Sequence, residues 1–108
     1  MYYEVLNKNY FSYRDLEYIL ENIRDCKGLN KTFYGNSTTI NINKNNIEII
    51  SYNTTILSYN INNKELYFNH KFYSTTTSRI QNLILNTILK GLKNIKDRKE
   101  YNFKNITF

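Results

Sequence analysis

The spacing of apolar residues changes period twice along the chain, and this switch constrains the fold more than any other feature. From Ser12 to Cys26 the apolar positions Tyr13, Leu16, Ile19, Leu20 and Ile23 recur at helical spacing. Ser12 fits an N-cap and Gly28 a stop. From Lys31 to about Tyr73 the texture becomes β-branched and aromatic with Asn-rich punctuation, the pattern of short antiparallel strands. Thr38 to Ile42 alternates, with Ile40 and Ile42 on one face and Thr39 and Asn41 on the other, as in a half-buried strand. Lys44-Asn45-Asn46 reads as a turn because Asn tolerates left-handed dihedrals, and Ile47 to Tyr52 as the next strand. Then either Asn53 and Thr54 turn before a strand from Thr55 to Tyr59, or Ile47 to Tyr59 is one long bent strand. Asn60 to Lys64 closes a hairpin. Glu65 to Tyr73 follows as a strand, with Leu66, Phe68 and His70 facing one way and Tyr67 and Asn69 the other.

The second switch comes after the polar run Ser74 to Ser78. Ile80, Ile84, Ile88, Leu92 and Ile95 form a helical stripe widened by Leu83, Leu85 and Leu89. A helix of that length gathers Lys90, Lys93 and Lys96 at its C-terminal end, where the helix dipole favours cations. Asp97 to Glu100 reads as a charged turn, and Tyr101 to Phe108 as a terminal strand or an arm. The expected fold is α+β in two layers: an antiparallel sheet of three to four strands between an N-terminal and a C-terminal helix, in α-β-β-β-α order, with both helices on one sheet face. At 108 residues the chain fits a single domain over 1–108.

Composition narrows the partners and the compartment. The formal net charge is +6, which favours anionic partners: nucleic acid, or a protein or ribonucleoprotein complex with an anionic surface. The charge is unevenly spread. Asp15, Glu17, Glu21 and Asp25 crowd the first helix, while Lys90, Lys93, Lys96, Arg98, Lys99 and Lys104 crowd the end. Cys26 is the single cysteine, so one chain has no internal disulfide and no cluster of thiolate ligands. The opening residues lack a basic and then apolar leader, and no stretch approaches the about 20 apolar residues a membrane span needs, so a cytoplasmic protein without a membrane role is expected.

Catalysis finds little support in the residues. The single histidine, His70, stands in strand texture and reads as a partly exposed strand residue. Cys26 follows a helix C-terminus, where the dipole raises a thiol pKa, and no Gly-rich phosphate loop occurs. The acids of the first helix read as its solvated face. No nucleophile, base and orienter assemble, so neither enzymatic activity nor a cofactor is expected. The segment before the second helix carries one specific suggestion. Thr76, Thr77 and Ser78 at a helix start, followed by Arg79, offer hydroxyls, free backbone N–H groups and a bidentate donor to an anion; ordinary N-capping by one of these hydroxyls is the competing reading. Lys90, Lys93, Lys96, Arg98 and Lys99 present the same choice between solvated surface and phosphate contact.

Three strings, Lys31-Thr32-Phe33-Tyr34-Gly35-Asn36, Ile50-Ser51-Tyr52-Asn53-Thr54-Thr55-Ile56 and Tyr73-Ser74-Thr75-Thr76-Thr77-Ser78-Arg79, resemble a family of small uncharacterised domains encoded by phages and plasmids of low-GC Gram-positive bacteria. The family pattern reads roughly Lys-Ser-Phe-Tyr-Gly-Lys, Leu-Tyr-Ser-Tyr-x-Thr-x-Ile and Ser-x-Thr-Thr-x-Arg-His before a final helix. Asn36 replaces its basic residue and Ile80 its His. The resemblance implies a mobile-element protein acting in the cytoplasm of a bacterial host. Proteins of that size and origin commonly bind and block host defence enzymes. The expected function is therefore a non-enzymatic, stoichiometric inhibitor of a host defence nuclease, anti-CRISPR-like, with a nucleic-acid-binding accessory or regulatory protein as the alternative.

Overall fold

A computed structural model of the chain describes residues 12–26, 28–33, 37–92 and 94–107. Helix α1 (Tyr13–Glu21) starts where its capping residue predicts. The Ser12 hydroxyl accepts from the Asp15 N–H, and the Asp15 carboxylate accepts in return from the Ser12 N–H at 2.9 Å, a reciprocal capping box. Asp15 is therefore buried in the cap rather than solvated with Glu17 and Glu21. A short 3-10 turn, Ile23–Asp25, follows. Gly28, at φ +84°, then turns the chain so that its N–H donates to Ile42 O at 2.8 Å. The left-handed angle explains the glycine, since a Cβ there would be strained.

Six strands among the described residues form one antiparallel meander in chain order: β1 (Asn30–Phe33), β2 (Thr38–Ile42), β3 (Asn46–Ser51), β4 (Thr54–Asn60), β5 (Glu65–Asn69) and β6 (Glu100–Phe103). The sheet thus exceeds the three to four strands expected. β1 overlaps the start of the Lys-Thr-Phe string, too short to show a period, and β6 follows the second helix, so the order is not a plain α-β-β-β-α. The Asn-rich punctuation does turn the chain. Asn43 Oδ1 accepts from the N–H groups of Asn45 and Asn46 at 2.8 and 2.9 Å, and Asn60 Oδ1 accepts from Asn62 N at 2.9 Å.

Helix α2 (Thr75–Asn86) is capped by Ser74, whose hydroxyl accepts from Thr77 N at 3.1 Å. It ends well before Ile95. The Thr87 hydroxyl bonds back to Leu83 O at 2.7 Å and Leu89 N donates to Ile84 O at 3.0 Å, which closes the helix in a wide turn. Ile88, Leu89, Leu92 and Ile95 still pack on the core, so the apolar stripe survives the loss of helix. Apolar side chains from α1 (Leu16, Ile19, Leu20), α2 (Ile80, Leu83, Ile84) and the inward positions of β2 to β5 form one core, giving two layers, helices on sheet. The other sheet face is polar. Asn41, Glu48, Ser58, Tyr67 and Asn102 form a row across five strands.

Candidate binding surface

The inward pairs of the β2–β3 ladder run Ile42–Ile47, Ile40–Ile49 and then Thr38–Ser51. At this last pair the aliphatic core gives way to hydroxyls. Thr38, Ser51 and Thr77 are each at most 2% exposed, so their polar groups need partners inside the protein. Ser51 Oγ and Thr77 Oγ1 lie 2.8 Å apart, and the Ser74 hydroxyl donates to Thr77 Oγ1 at 3.2 Å. A side-chain bridge thus fixes the start of α2 to the end of β3. Around it opens a cleft of about 300 Å³ lined by Ser51, Tyr52, Thr54, Tyr73, Ser74 and Thr77. Two of the three strings singled out in the sequence meet here.

The rim of the cleft is aromatic. Tyr52, in the β3–β4 turn, has φ +55°, and its N–H donates to Ser37 O. A bulky residue in that region carries strain of order 1–3 kcal/mol, held by the surrounding ladder. Tyr52 is 60% exposed, and Phe72 and Tyr73 are 66% and 45% exposed. The loop bearing Phe72 and Tyr73 is anchored from below. Gln81, fully buried, donates through Nε2 to Asn69 O at 2.9 Å and Lys71 O at 2.8 Å, while Asn69 Nδ2 donates to the Tyr73 hydroxyl at 2.8 Å. Asn69 is accordingly buried, not turned outward with Tyr67.

A second segment closes over this loop. The His70 N–H donates to Lys99 O at 2.9 Å, and His70 Nδ1 lies 2.9 Å from Asp97 O. The His70 ring stacks on Phe68 at 5.5 Å. His70 is only 6% exposed and sits just past the end of β5, so the expectation of a partly exposed strand histidine is corrected. Phe68 and the clip from 97–99 bury it. The clip delivers Arg98 to the start of α2, where its Nη2 donates to Ser78 Oγ at 2.8 Å and its guanidinium lies 5.8 Å from the Phe72 ring centroid. On the outer sheet face, the Tyr67 hydroxyl donates to Glu100 Oε1 at 2.5 Å and Lys71 Nζ stands 3.5 Å from Glu100 Oε2. Partial burial, then this bond and the carboxylate charge, push the Tyr67 hydroxyl up to about 12. The same hydroxyl, with Lys71, holds the Glu100 carboxyl below its ordinary range.

The sequence-predicted residues therefore separate into distinct roles. Thr77 is a buried structural bridge, and the capping hydroxyl belongs to Ser74 rather than to Thr76, Thr77 or Ser78. Thr76 is half-buried in the first turn of α2, and Ser78 accepts from Arg98. Arg79 is exposed with its guanidinium 5.4 Å from the Tyr13 ring centroid, facing α1. Lys90 and Lys96 are exposed beyond the end of α2, and Lys93 lies outside the described residues. The last turn of α2 holds no basic residue, so the expected pairing of these lysines with the helix dipole does not form. Lys99 lies over the Tyr101 ring, 5.2 Å from its centroid. Sequence reasoning brought forward Arg98, and Tyr52 and Tyr73 within the strings, but not Phe72, and it did not show that these rings are exposed. Their exposure is invisible to periodicity because each sits in a turn or loop.

Fold and surface together define a small two-layer α+β domain with an aromatic-rimmed, hydroxyl-lined cleft at one end of its sheet. The chain belongs to a family of unknown function (DUF8033), whose match spans residues 20–103. No curated protein and no solved structure matches it.

Proposed function

We propose that this protein is a non-enzymatic binding protein of mobile-element origin that inhibits a host defence nuclease stoichiometrically, and that the end of the sheet carrying Tyr52, Phe72, Tyr73 and Arg98 is its contact surface. The observation that carries this reading is the exposure of three large rings on an anchored rim, one of them beneath an arginine. Aromatic and arginine side chains dominate the energetics of macromolecular contacts. The mobile-element origin and the defence target come from the resemblance of the three strings. The packing of His70 against Phe68 and its bond to Asp97 O support a structural role for the histidine. At a net charge of +6 the protein is suited to a partner that is anionic where it touches.

The test is affinity capture from a lysate of the bacterial host, treated with nuclease, using the wild type and a variant with Tyr52, Phe72 and Tyr73 all changed to Ala. The reading expects a nuclease captured by the wild type and lost by the variant, with its activity falling in proportion to added protein up to equivalence. Equal capture by both proteins, or inactivation far below equivalence, would sink it.

A further inference from the structure

The large hydrophobic side chains exposed among the described residues are Tyr52, Phe72 and Tyr73, and all are aromatic. They gather in one place. Tyr52 and Tyr73 line the same cleft, Phe72 is the neighbour of Tyr73, and the Arg98 guanidinium lies against Phe72 with its Nη2 fixed on Ser78. Rings held on a fixed rim stack bases of any sequence, because every base has a π-face, and a neighbouring guanidinium serves both base and phosphate.

Charge selects among occupants. Lys71, Arg98 and Lys99 lie in the two segments that frame the rings, and all are exposed. Of the acids in those segments, Glu100 is engaged by Lys71 and by the Tyr67 hydroxyl, and Asp97 opposes the cations. Arg79 is turned toward Tyr13. The balance is positive in a chain of net charge +6. We infer that this rim is a platform for single-stranded nucleic acid. The inference rests on the binding role proposed above and supplies its partner class: an unpaired strand, such as a guide or a displaced target strand held by a nuclease. A duplex offers stacked and paired bases that no ring of the rim can face, so it meets the cations alone. A protein interface would centre on a buried apolar patch, whereas here the rings stand among hydroxyls and cations, with no large aliphatic side chain exposed beside them among the described residues.

The experiment titrates the full chain with oligodeoxythymidylate and oligouridylate of about twelve nucleotides, and with a duplex of equal length, at two or more salt concentrations. Tyrosine fluorescence reports stacking directly, since the chain has 11 Tyr and no Trp. Single strands are expected to bind, with log affinity falling against log salt at a slope of about −1.4 for two phosphate contacts, by Arg98 and Lys99. Phe72→Ala and Tyr52→Gly should each weaken binding by about five- to 150-fold, the range of one lost base stack. Tyr52→Gly also relieves the left-handed backbone, so a melting temperature at or above that of the wild type excludes misfolding as the cause. A preference for uridylate would add a 2′-hydroxyl contact, and equal affinity would assign binding to bases and phosphates alone. Failure of the wild type to bind either single strand at low salt would overturn the inference, as would wild-type binding by the ring variants or tighter binding of the duplex. Ring-dependent capture of a nucleic-acid-free protein, with no oligonucleotide binding, would overturn it while leaving the proposed function standing. Capture that ignores the rings would remove the proposed function instead.

Discussion

The two ends of the β2–β3 ladder use the same backbone for different ends. At one, Ile40 and Ile42 face Ile49 and Ile47 across the strands, beneath apolar stripes from α1 and α2. At the other, Thr38 faces Ser51, whose hydroxyl meets Thr77 at the start of α2. A buried isoleucine contributes about 1.5–3 kcal/mol through removal of its surface from water. A buried hydroxyl pair contributes about 1 kcal/mol net and must be complete to contribute at all. The aliphatic end supplies stability. The hydroxyl end supplies direction, because hydrogen bonds fix the angle at which α2 leaves the sheet and so the placement of the rim.

Ile84→Asp should give the largest effect. The position is fully buried in α2, and an unpaired carboxylate there costs about 4 kcal/mol or more, comparable with the whole stability of a small domain. No cooperative melt should be seen by circular dichroism; a normal melt would dissolve the distinction between the ends. Thr77→Val removes the bridging hydroxyl at nearly constant volume and leaves Ser51 Oγ without it. A loss of about 1–3 kcal/mol in urea unfolding is expected, and an unchanged midpoint would show that the hydroxyl end is held by something else. Tyr52→Gly should work in the opposite sense. Relief of the angle at φ +55° offsets the added freedom of the unfolded chain, for a net gain of up to about 1 kcal/mol. A destabilised variant would mean that the Tyr52 ring supports the fold.

The smallest effect lies on the outer face. The Tyr67 hydroxyl is raised above its ordinary value of 10 to about 12, so the folded state keeps a proton that the unfolded chain releases. The stability this contributes is full below about pH 10 and is lost as pH rises toward about 12. Tyr67→Phe should therefore flatten the alkaline limb of the stability profile over that window. Glu100, held below its ordinary value, acts at the other extreme: its contribution is present above the unfolded carboxyl value and is lost as pH falls through the folded one. Tyr67→Phe removes the first cause of that shift and should soften the acid limb as well. An unchanged profile at both ends would mean that the pair does not persist in solution.

The helical periodicity made α1 and the start of α2 legible, and Ser12 named its own cap. Thr38 to Ile42 announced β2 because alternation over five residues is a strong signal in a half-buried strand. The turn expected at Asn53 and Thr54, left open against one long bent strand, falls at Tyr52 and Asn53: Tyr52 enters the left-handed region and Thr54 already belongs to β4. What escaped was set by tertiary contact. The end of α2 depends on one threonine bonding back to Leu83, which no apolar pattern records. The structure separates the residues of the anion site expected at Thr76 to Arg79, burying Thr77 and turning Arg79 toward Tyr13. The burial of Thr77 follows from a partner 26 positions away, and the arrival of Arg98 from a clip at His70. Cys26, for which a structural or an incidental thiol was expected, is a fully buried part of the core, its Sγ donating to Asn22 O at 3.3 Å.

The order of the strands also has a temporal meaning. β1 to β5 follow one another with few residues between them, so each pairing closes a small loop and is expected to form early and quickly. β6 pairs with β5 only after a detour of about thirty residues through α2, with Asn69 opposite Glu100. The last strand therefore joins a sheet that already exists, guided by the clip of His70 onto Asp97 and Lys99 and by the bond from the Tyr59 hydroxyl to Ile106 O. Loop-closure cost alone therefore predicts that the segment delivering Arg98 joins last in folding and opens first in the native state, an order that amide hydrogen exchange at Lys99 and Tyr101 against β3 and β4 would check.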